Sequence, residues 1–143
     1  MAYEFRTKRR VEFAETDAAG IAHFSNFFRY METAEHEFLR CLGLSVHTEA
    51  DGQMVSWPRV RAECAYKAPL RFEEEVEVHL TVREKHRKSI TYEFHFWKPG
   101  GEHVAEGRVT VVCVAIDRAT GQMRSIAIPP SIDAKIEAAP KEK

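Results

Sequence analysis

Residues 26–43 read NFFRYMETAEHEFLRCLG, and their apolar positions follow the period of an α-helix. The apolar residues recur at spacings of three and four, which places them on one stripe of a helix: Phe27, Tyr30, Met31, Ala34, Phe38 and Leu42. Ser25 or Asn26 can cap the start of this helix, and Gly43 suits the left-handed residue just past its end. We therefore predict one long helix over residues 26–42.

The rest of the chain has the period of β-strands. Apolar and polar residues alternate at 76–82 and 90–96, and further strands are predicted at 3–13, 55–66, 104–116 and 122–128, with a polar connection at 50–53. This order of elements predicts an α+β domain in which an antiparallel sheet of five to six strands wraps round one long central helix. That arrangement is typical of the hotdog fold.

Length and composition limit the other possibilities. A chain of 143 residues is expected to form a single domain, here residues 1–137, followed by a frayed tail at 138–143. The 21 basic and 22 acidic residues give a net charge of −1, so no global field attracts nucleic acid or an anionic membrane. Because no apolar run reaches the length of a membrane span or forms a signal segment, we expect a soluble cytoplasmic protein.

The three cysteines do not form a recognisable framework. Cys41, Cys64 and Cys113 are an odd number, lie far apart, and lack the spacing of a zinc site. We expect neither disulfides nor a metal site, and we expect each thiol to be a small buried hydrophobic side chain.

One carboxylate lies in a turn of small residues just before the predicted helix. Unpaired amides and the dipole at a helix start can bind an oxyanion, and Gly20 allows the chain to bend tightly there. Asp17, across from these amides, can attack an acyl carbon or deprotonate a water that does so. The alternative is that Asp17 simply stabilises the turn through its own side chain.

A basic turn is predicted between the strands at 76–82 and 90–96. Lys85-His86-Arg87-Lys88-Ser89 places cations together at this turn, where they can bind phosphate. The alternative is a merely solvated turn. Nucleic-acid binding has little support, because the turn lacks interleaved aromatic residues and the chain is not basic overall.

Three segments resemble one known family. VEFAETDAAGIAHFSNFFRYMETAEHEFL at 11–39 resembles the signature segment of the 4-hydroxybenzoyl-CoA thioesterase family within the hotdog superfamily. HRKSITYEFHFWKPGG at 86–101 and MRSIAIPPSI at 123–132 resemble later strands of the same family. The resemblance implies hydrolysis of an acyl-CoA to a carboxylic acid and free coenzyme A, with no metal or redox cofactor.

The resemblance also implies catalytic residues. Asp17 matches the catalytic carboxylate, as nucleophile or general base, and the amide of Phe24 matches the group that polarises the thioester carbonyl, with Gly20 in the turn between them. An alternative from another class is an acyl-CoA-binding module without catalysis, since a fold does not specify activity.

Three further positions are assigned to the substrate by resemblance. His23 lies in the same turn and either contacts substrate or packs as an ordinary loop histidine. Asn26 matches a family asparagine that either holds the Asp17 loop or caps the helix. Glu32 is placed in the first turn of the helix, where aryl-CoA members carry an acid facing the acyl group; the alternative is a surface acid.

The resemblance assigns coenzyme A to the basic turn, through Arg87, Lys88 and Ser89, with Arg124 as a second cationic position. The acyl group is expected to be aromatic, as in 4-hydroxybenzoyl-CoA, with short aliphatic acyl-CoA and 1,4-dihydroxy-2-naphthoyl-CoA as alternatives. Family members pair into dimers and tetramers, so a homo-oligomer is expected.

Overall fold

The larger of two sheets forms the framework of the molecule. The computed structural model describes residues 1–141. Five antiparallel strands form this sheet in the order β1-β5-β6-β7-β4: β1 Glu4–Arg10, β5 Glu75–Lys85, β6 Ser89–Trp97, β7 His103–Val112 and β4 Arg59–Tyr66. Residues alternate between buried and half-buried along β5 and β6, so one face of the sheet is apolar.

A smaller antiparallel sheet continues from β7. Its strands lie in the order β2-β3-β8-β9: β2 His47–Ala50, β3 Gln53–Ser56, β8 Val114–Ile116 and β9 Met123–Ser125. Only Cys113 separates β7 from β8. The chain therefore passes from one sheet to the other almost without interruption.

The long helix α1, Asn26–Cys41, packs on the apolar face of the larger sheet. The predicted stripe is buried from Phe27 to Phe38, with Tyr30, Met31 and Ala34 fully enclosed. Leu42 follows the last helical residue and is only half-buried, and Cys41 is exposed, so the expectation of a buried thiol was wrong there. Gly107 of β7 lies under Met31, and a Cβ at this glycine would fall 2.6 Å from Met31 Sδ and 2.9 Å from the carbonyl oxygen of Glu63. The helix approaches the sheet closely because β7 has no side chain at this point.

The predicted fold class is confirmed, but the strands are divided further than the sequence indicated. The predicted strand at 55–66 becomes β3 and β4, because Pro58 cannot donate to a ladder and the chain changes sheets there. Strand β2 lies where no strand was expected, since its sequence HTEA has no apolar alternation. A short helix α2, Pro130–Asp133, and a 3₁₀ turn at Phe13–Glu15 complete the described elements.

The carboxyl end lies against the larger sheet in its described part. Glu137 donates its backbone N–H to the Ala2 carbonyl, and Ala139 donates to the Val82 carbonyl at 2.8 Å. The domain boundary at 137 and the frayed tail at 138–143 stay predictions, and residues 142 and 143 lie outside the described part. No helix within residues 1–141 is long and apolar enough to cross a membrane.

Candidate active site

Asp17 lies in a tight turn that is held by contacts between backbone groups. Thr16 pairs with Ala22, and Asp17 donates its N–H to the Ile21 carbonyl at 2.9 Å. Gly20 closes the turn by donating its N–H to the Asp17 carbonyl at 2.9 Å. Its φ of +80° is the left-handed conformation that glycine adopts without strain. The turn therefore requires Gly20, whose amide is used within it.

The carboxylate of Asp17 has one oxygen engaged and one available. Oδ1 accepts the backbone N–H of Ala19 at 2.9 Å, which is the side-chain turn that ordinary loop chemistry predicts. Oδ2 has no hydrogen-bond partner among residues 1–141. Since the side chain is only half-buried, Oδ2 is accessible for chemistry while Oδ1 fixes its direction.

Glu15 joins this turn to helix α1, although no pattern in the sequence singles it out. Its carbonyl accepts the N–H of His23 at 2.8 Å and Nδ2 of Asn26 at 2.7 Å. Its carboxylate accepts the N–H of Glu12 at 2.8 Å and the buried hydroxyl of Tyr30 at 2.9 Å. Burial, reinforced by Glu15, raises the pKa of Tyr30 well above its usual value, so this hydroxyl remains a donor.

The predicted helix cap was wrong. Ser25 has helical backbone angles and makes no capping hydrogen bond, because its hydroxyl lies 2.8 Å from Nδ1 of His23. The Asn26 side chain is instead directed to the Glu15 carbonyl, as in the interpretation in which it holds the Asp17 loop. The helix start is therefore fixed by contacts to the loop.

The backbone N–H of Phe24 is available at the start of the helix. It has no acceptor within the part of the chain that the structure describes, and the residue is 61% exposed. The Phe24 carbonyl accepts the hydroxyl of Tyr66 at 3.0 Å, and the two rings meet edge to face. Tyr66, at the end of β4, was not singled out from the sequence, yet it fixes the orientation of this peptide.

A second cluster of polar groups lies farther along α1. A cavity of about 180 Å³ is lined by residues of α1 and of three strands: Phe28, Met31, Glu32, Glu35, Arg59, Ala62, Tyr92, Phe94 and Val109. Glu35 is 2% exposed, and its Oε1 accepts a short hydrogen bond from Nη2 of Arg59. Glu35 Oε2 is buried without a partner among the described residues. A polar group is thus available at the wall of an otherwise largely apolar cavity.

Burial determines the protonation of Glu35. Removal from water raises the pKa of this carboxyl to about 7, against the lowering effect of the Arg59 guanidinium. The ion pair therefore competes with protonation near neutral pH.

The predicted position of Glu32 in the first helical turn was wrong. Because α1 begins at Asn26, Glu32 is its seventh residue and lies in the second turn. Its side chain is 58% exposed, and its Oε2 is 3.9 Å from Nη2 of Arg59. Glu32 does line the cavity, but the sequence missed its buried neighbour Glu35 and left Arg59 unassigned, because a charged residue on the apolar side of a helix interrupts the expected pattern.

The Asp17 turn and the cavity are separated within one chain. Phe24 precedes α1, whereas Glu35 is the tenth residue of the helix, so about 15 Å of helix axis lies between them. The Asp17 turn and this cavity are therefore two separate places within one chain.

The predicted coenzyme A residues occupy two neighbouring regions. Arg87 and Lys88 lie in the turn between β5 and β6, and Ser89 is the first residue of β6. A hydrogen bond from Ile128 N–H to the Arg87 carbonyl at 2.9 Å holds this turn. The side chains of Arg87 and Lys88 form no ion pair within the described range 1–141. Arg124 is in β9 and lines a cavity at the smaller sheet, so it lies outside the turn between β5 and β6.

Lys85 of the same basic turn is already engaged. Its Nζ lies 2.9 Å from Oδ1 of Asp133 and donates to the Ile136 carbonyl at 2.7 Å. Lys85 therefore anchors the carboxyl end of the chain.

The architecture is that of the hotdog thioester hydrolases. The chain belongs to the thioesterase-like superfamily, whose family profile matches residues 11–136. The structure resembles that of a gentisyl-coenzyme A thioesterase, with a TM-score of 0.77, 33% identity, and coverage of 90% of this chain and 99% of the other.

Two curated relatives extend over nearly the whole chain. The 4-hydroxybenzoyl-CoA thioesterase of Pseudomonas sp. (strain CBS-3) is 23% identical over 133 residues, which is 90% of this chain and 94% of the relative. The 1,4-dihydroxy-2-naphthoyl-CoA hydrolase of Thermosynechococcus vestitus is 24% identical over 135 residues, 94% of this chain and 90% of the relative.

The raised pKa of Glu35 makes folding stability depend on pH. The folded protein keeps this proton up to about pH 7, whereas the unfolded chain releases it near the ordinary value of 4.5. The unfolded chain binds fewer protons in this window, so stability falls as pH rises through it, by up to about 3 kcal/mol from this group. We expect Glu35→Gln to remove this part of the pH dependence, measured by urea unfolding at pH 5 and pH 8.

The matched control is Glu32→Gln, which changes an exposed acid on the same helix and should preserve the wild-type pH dependence. Parallel stability profiles for wild type and Glu35→Gln would contradict the raised pKa.

Proposed function

We propose that this enzyme hydrolyses an acyl-CoA carrying one hydroxylated aromatic ring, such as 4-hydroxybenzoyl-CoA, to the carboxylic acid and free coenzyme A. The observation that carries the proposal is that two groups without partners occur in the same loop before a helix. One is the accessible Asp17 Oδ2, and the other is the backbone N–H of Phe24. A carboxylate and an oxyanion donor are the two groups that acyl transfer to water requires.

The proposed chemistry begins with the substrate carbonyl oxygen at the Phe24 N–H. This donor and the positive end of α1 stabilise the negative charge that develops on the oxygen. In one route Asp17 attacks the carbonyl carbon, the C–S bond breaks, and water hydrolyses the resulting anhydride. In the other route Asp17 takes a proton from the attacking water. Both routes release the acid and the coenzyme A thiol, and both need Oδ2 ionised.

The cavity beside Glu35 supports a single-ring acyl group. Its volume of about 180 Å³ is close to that of an engineered apolar cavity of roughly 150 Å³ that binds benzene. The unpartnered Oε2 of Glu35 can accept a hydrogen bond from the hydroxyl of such a ring, and Arg59 holds the other carboxyl oxygen. The two-ring naphthoyl group needs more space, and a short aliphatic group would leave Oε2 unpaired, so both remain alternatives to the main proposal.

The separation of Asp17 from this cavity favours a site built from two chains. Strand β4 is one of the two edges of the larger sheet and is largely exposed, and one side of it pairs with no strand among the described residues. Antiparallel pairing of two β4 edges about a two-fold axis brings the Tyr66 end of one strand to the Arg59 end of the other. The Asp17 turn of one copy then faces the cavity of the second copy, and the active unit is a homodimer or a tetramer built from such dimers.

Coenzyme A is assigned to the turn between β5 and β6. Its phosphates suit the unpaired cations Arg87 and Lys88, with the Ser89 hydroxyl as a further donor, and Arg124 is a more distant fourth residue. His23 lies against Phe24, with 4.6 Å between their ring centres, and this contact supports the proposal that His23 binds the substrate.

Asp17→Asn is expected to reduce kcat for acyl-CoA hydrolysis at least 1000-fold and leave coenzyme A affinity within about twofold, because the amide can neither attack nor accept a proton. The matched control is Asp117→Asn, because Asp117 Oδ1 makes the same type of turn by accepting the N–H of Ala119 at 2.8 Å. Equal turnover in Asp17→Asn and wild type would refute the mechanism.

The same assay uses a panel of hydroxybenzoyl, naphthoyl and short aliphatic thioesters ranked by kcat/KM, with the hydroxybenzoyl thioesters expected first. A wild-type protein that binds acyl-CoA but hydrolyses none of the panel would establish the non-catalytic binding module instead.

Arg87→Ala/Lys88→Ala is expected to raise KM for acyl-CoA by about 10-fold or more and to leave KM for the matching acyl-pantetheine unchanged, because the truncated thioester lacks the nucleotide phosphates. Arg6→Ala/Lys8→Ala removes two cations from strand β1 and serves as the control. An equal effect on both thioesters would overturn the assignment.

Co-expression tests the two-chain site. Asp17→Asn and Arg59→Gln chains are each expected to be inactive alone. In a random mixture about half of the dimers contain one chain of each kind, and each of these has one intact site and one site that lacks both residues. The mixture should therefore recover about a quarter of wild-type activity. Light scattering gives the size of the assembly. A monomer, or a mixture that is no more active than its parts, would contradict the two-chain site.

A further inference from the structure

The outer face of the larger sheet, opposite α1, carries a second cluster of reactive side chains. His95 of β6 and His103 and Glu106 of β7 place ligand atoms within 4.8 Å of one another, and each residue is half-buried. Nδ1 of His95 lies 3.0 Å from Nε2 of His103 and 3.9 Å from Oε2 of Glu106. Two imidazoles and a carboxylate therefore converge on one point.

A β-bulge brings these three residues to the same face. The ladder between β6 and β7 pairs Phe96 with Ala105 but Trp97 with His103, so one extra residue lies in β7. Val104 and Ala105 are consequently both buried, which interrupts the alternation of the strand. His103 and Glu106 therefore face outward together, and His95 is the cross-strand partner of Glu106.

A carboxylate lies beside the second nitrogen of His95. Nε2 of His95 faces Oε2 of Glu93 at 3.5 Å. Arg83 and Arg108 donate hydrogen bonds to Glu93 and hold its carboxylate in this position. A proton on Nε2 leaves the lone pair of Nδ1 directed towards His103, and a carboxylate behind a histidine is the usual support of a metal ligand.

The orientation of His103 is also constrained. The Trp97 indole stacks on its ring, with the ring centres 4.3 Å apart and the planes at 25°. If both imidazoles were neutral, the hydrogen bond between His95 and His103 would use the one N–H between them. The Glu106 carboxylate would then face the lone pair of a nitrogen. A cation placed among the three atoms satisfies both nitrogens and the carboxylate at once.

We propose that His95 Nδ1, His103 Nε2 and Glu106 Oε2 bind one divalent transition-metal ion such as Zn²⁺, with solvent completing the coordination. Ligand atoms around tetrahedral zinc are about 3.3 Å apart, and the observed distances from His95 Nδ1 are 3.0 Å to His103 Nε2 and 3.9 Å to Glu106 Oε2. Small side-chain rotations bring these distances to the value for zinc. Imidazole nitrogen with carboxylate oxygen suits zinc and its neighbours better than magnesium or calcium. Nζ of Lys67 lies 3.7 Å from Oε1 of Glu106, which is the carboxylate oxygen that does not bind the proposed ion.

The proposed ion has a structural role. It joins β6 to β7 on the face opposite the helix, away from Asp17 and Phe24, so it takes no part in thioester hydrolysis. Its binding free energy adds to the stability of the folded chain, since the unfolded chain does not hold the three ligands together.

The test uses chelator-treated protein titrated with ZnCl₂ by calorimetry and with CoCl₂ by visible absorption. We expect one ion per chain and a rise in Tm with Zn²⁺. His103→Ala should weaken Zn²⁺ binding by more than 100-fold, and Glu93→Gln, which removes the support behind His95, by about 10-fold. Circular dichroism shows whether each variant is folded.

His79→Ala is the matched control. His79 is on the same outer face, but its Nε2 is 2.9 Å from Oε2 of Glu4, outside the cluster, so this variant should bind Zn²⁺ like wild type. Absence of one-to-one Zn²⁺ binding in wild type, or the same affinity in folded His103→Ala, would overturn the proposal. Neither result depends on thioester hydrolysis.

Discussion

The close contact between α1 and β7 is the constraint on which the rest of the structure depends. Met31 packs directly over Gly107, where any Cβ would collide with the Met31 sulfur or the backbone of β4. This contact fixes how close the helix lies to the sheet. The helix start then lies beside the end of β4, where Tyr66 holds Phe24, and the middle of the helix lies over β4, where Arg59 meets Glu35. One packing contact thus positions both clusters of polar groups.

The helix and the fold class could be predicted because they depend on periodicity, which the sequence displays directly. The stripe of Phe27, Tyr30 and Met31 is buried as the spacing predicts. The division into two sheets could not be predicted in the same way, because β2 has no apolar alternation and because pairing partners are set by contacts between distant segments. The bulge in β7 was also missed, since one extra residue is visible only against the opposite strand.

The candidate site shows the same division. Asp17, Gly20 and Phe24 lie in one continuous segment, so the sequence and the resemblance could propose them together as candidates. Glu15 acts through its backbone carbonyl and through its carboxylate, which accepts a hydrogen bond from the Tyr30 hydroxyl fifteen residues away. Neither contact leaves a pattern in the sequence. Local turn chemistry does not distinguish function either, because Asp117 makes the same side-chain turn as Asp17. The difference between them is the helix start that follows Asp17.

The pairing of the buried Glu35 with the more exposed Arg59 has a consequence for how this protein responds to selection. A carboxyl that is buried with an unsatisfied oxygen costs free energy, and an apolar residue of similar volume avoids that cost. The carboxyl of Glu35 is also poorly solvated, with one oxygen unpartnered among the described residues. A library of variants screened for heat resistance alone would therefore tend to lose this pair, fill the cavity and close the space beside the helix. Because we propose that Glu35 and Arg59 bind the acyl group, we expect a screen for turnover to keep these two residues and a screen for stability to replace them.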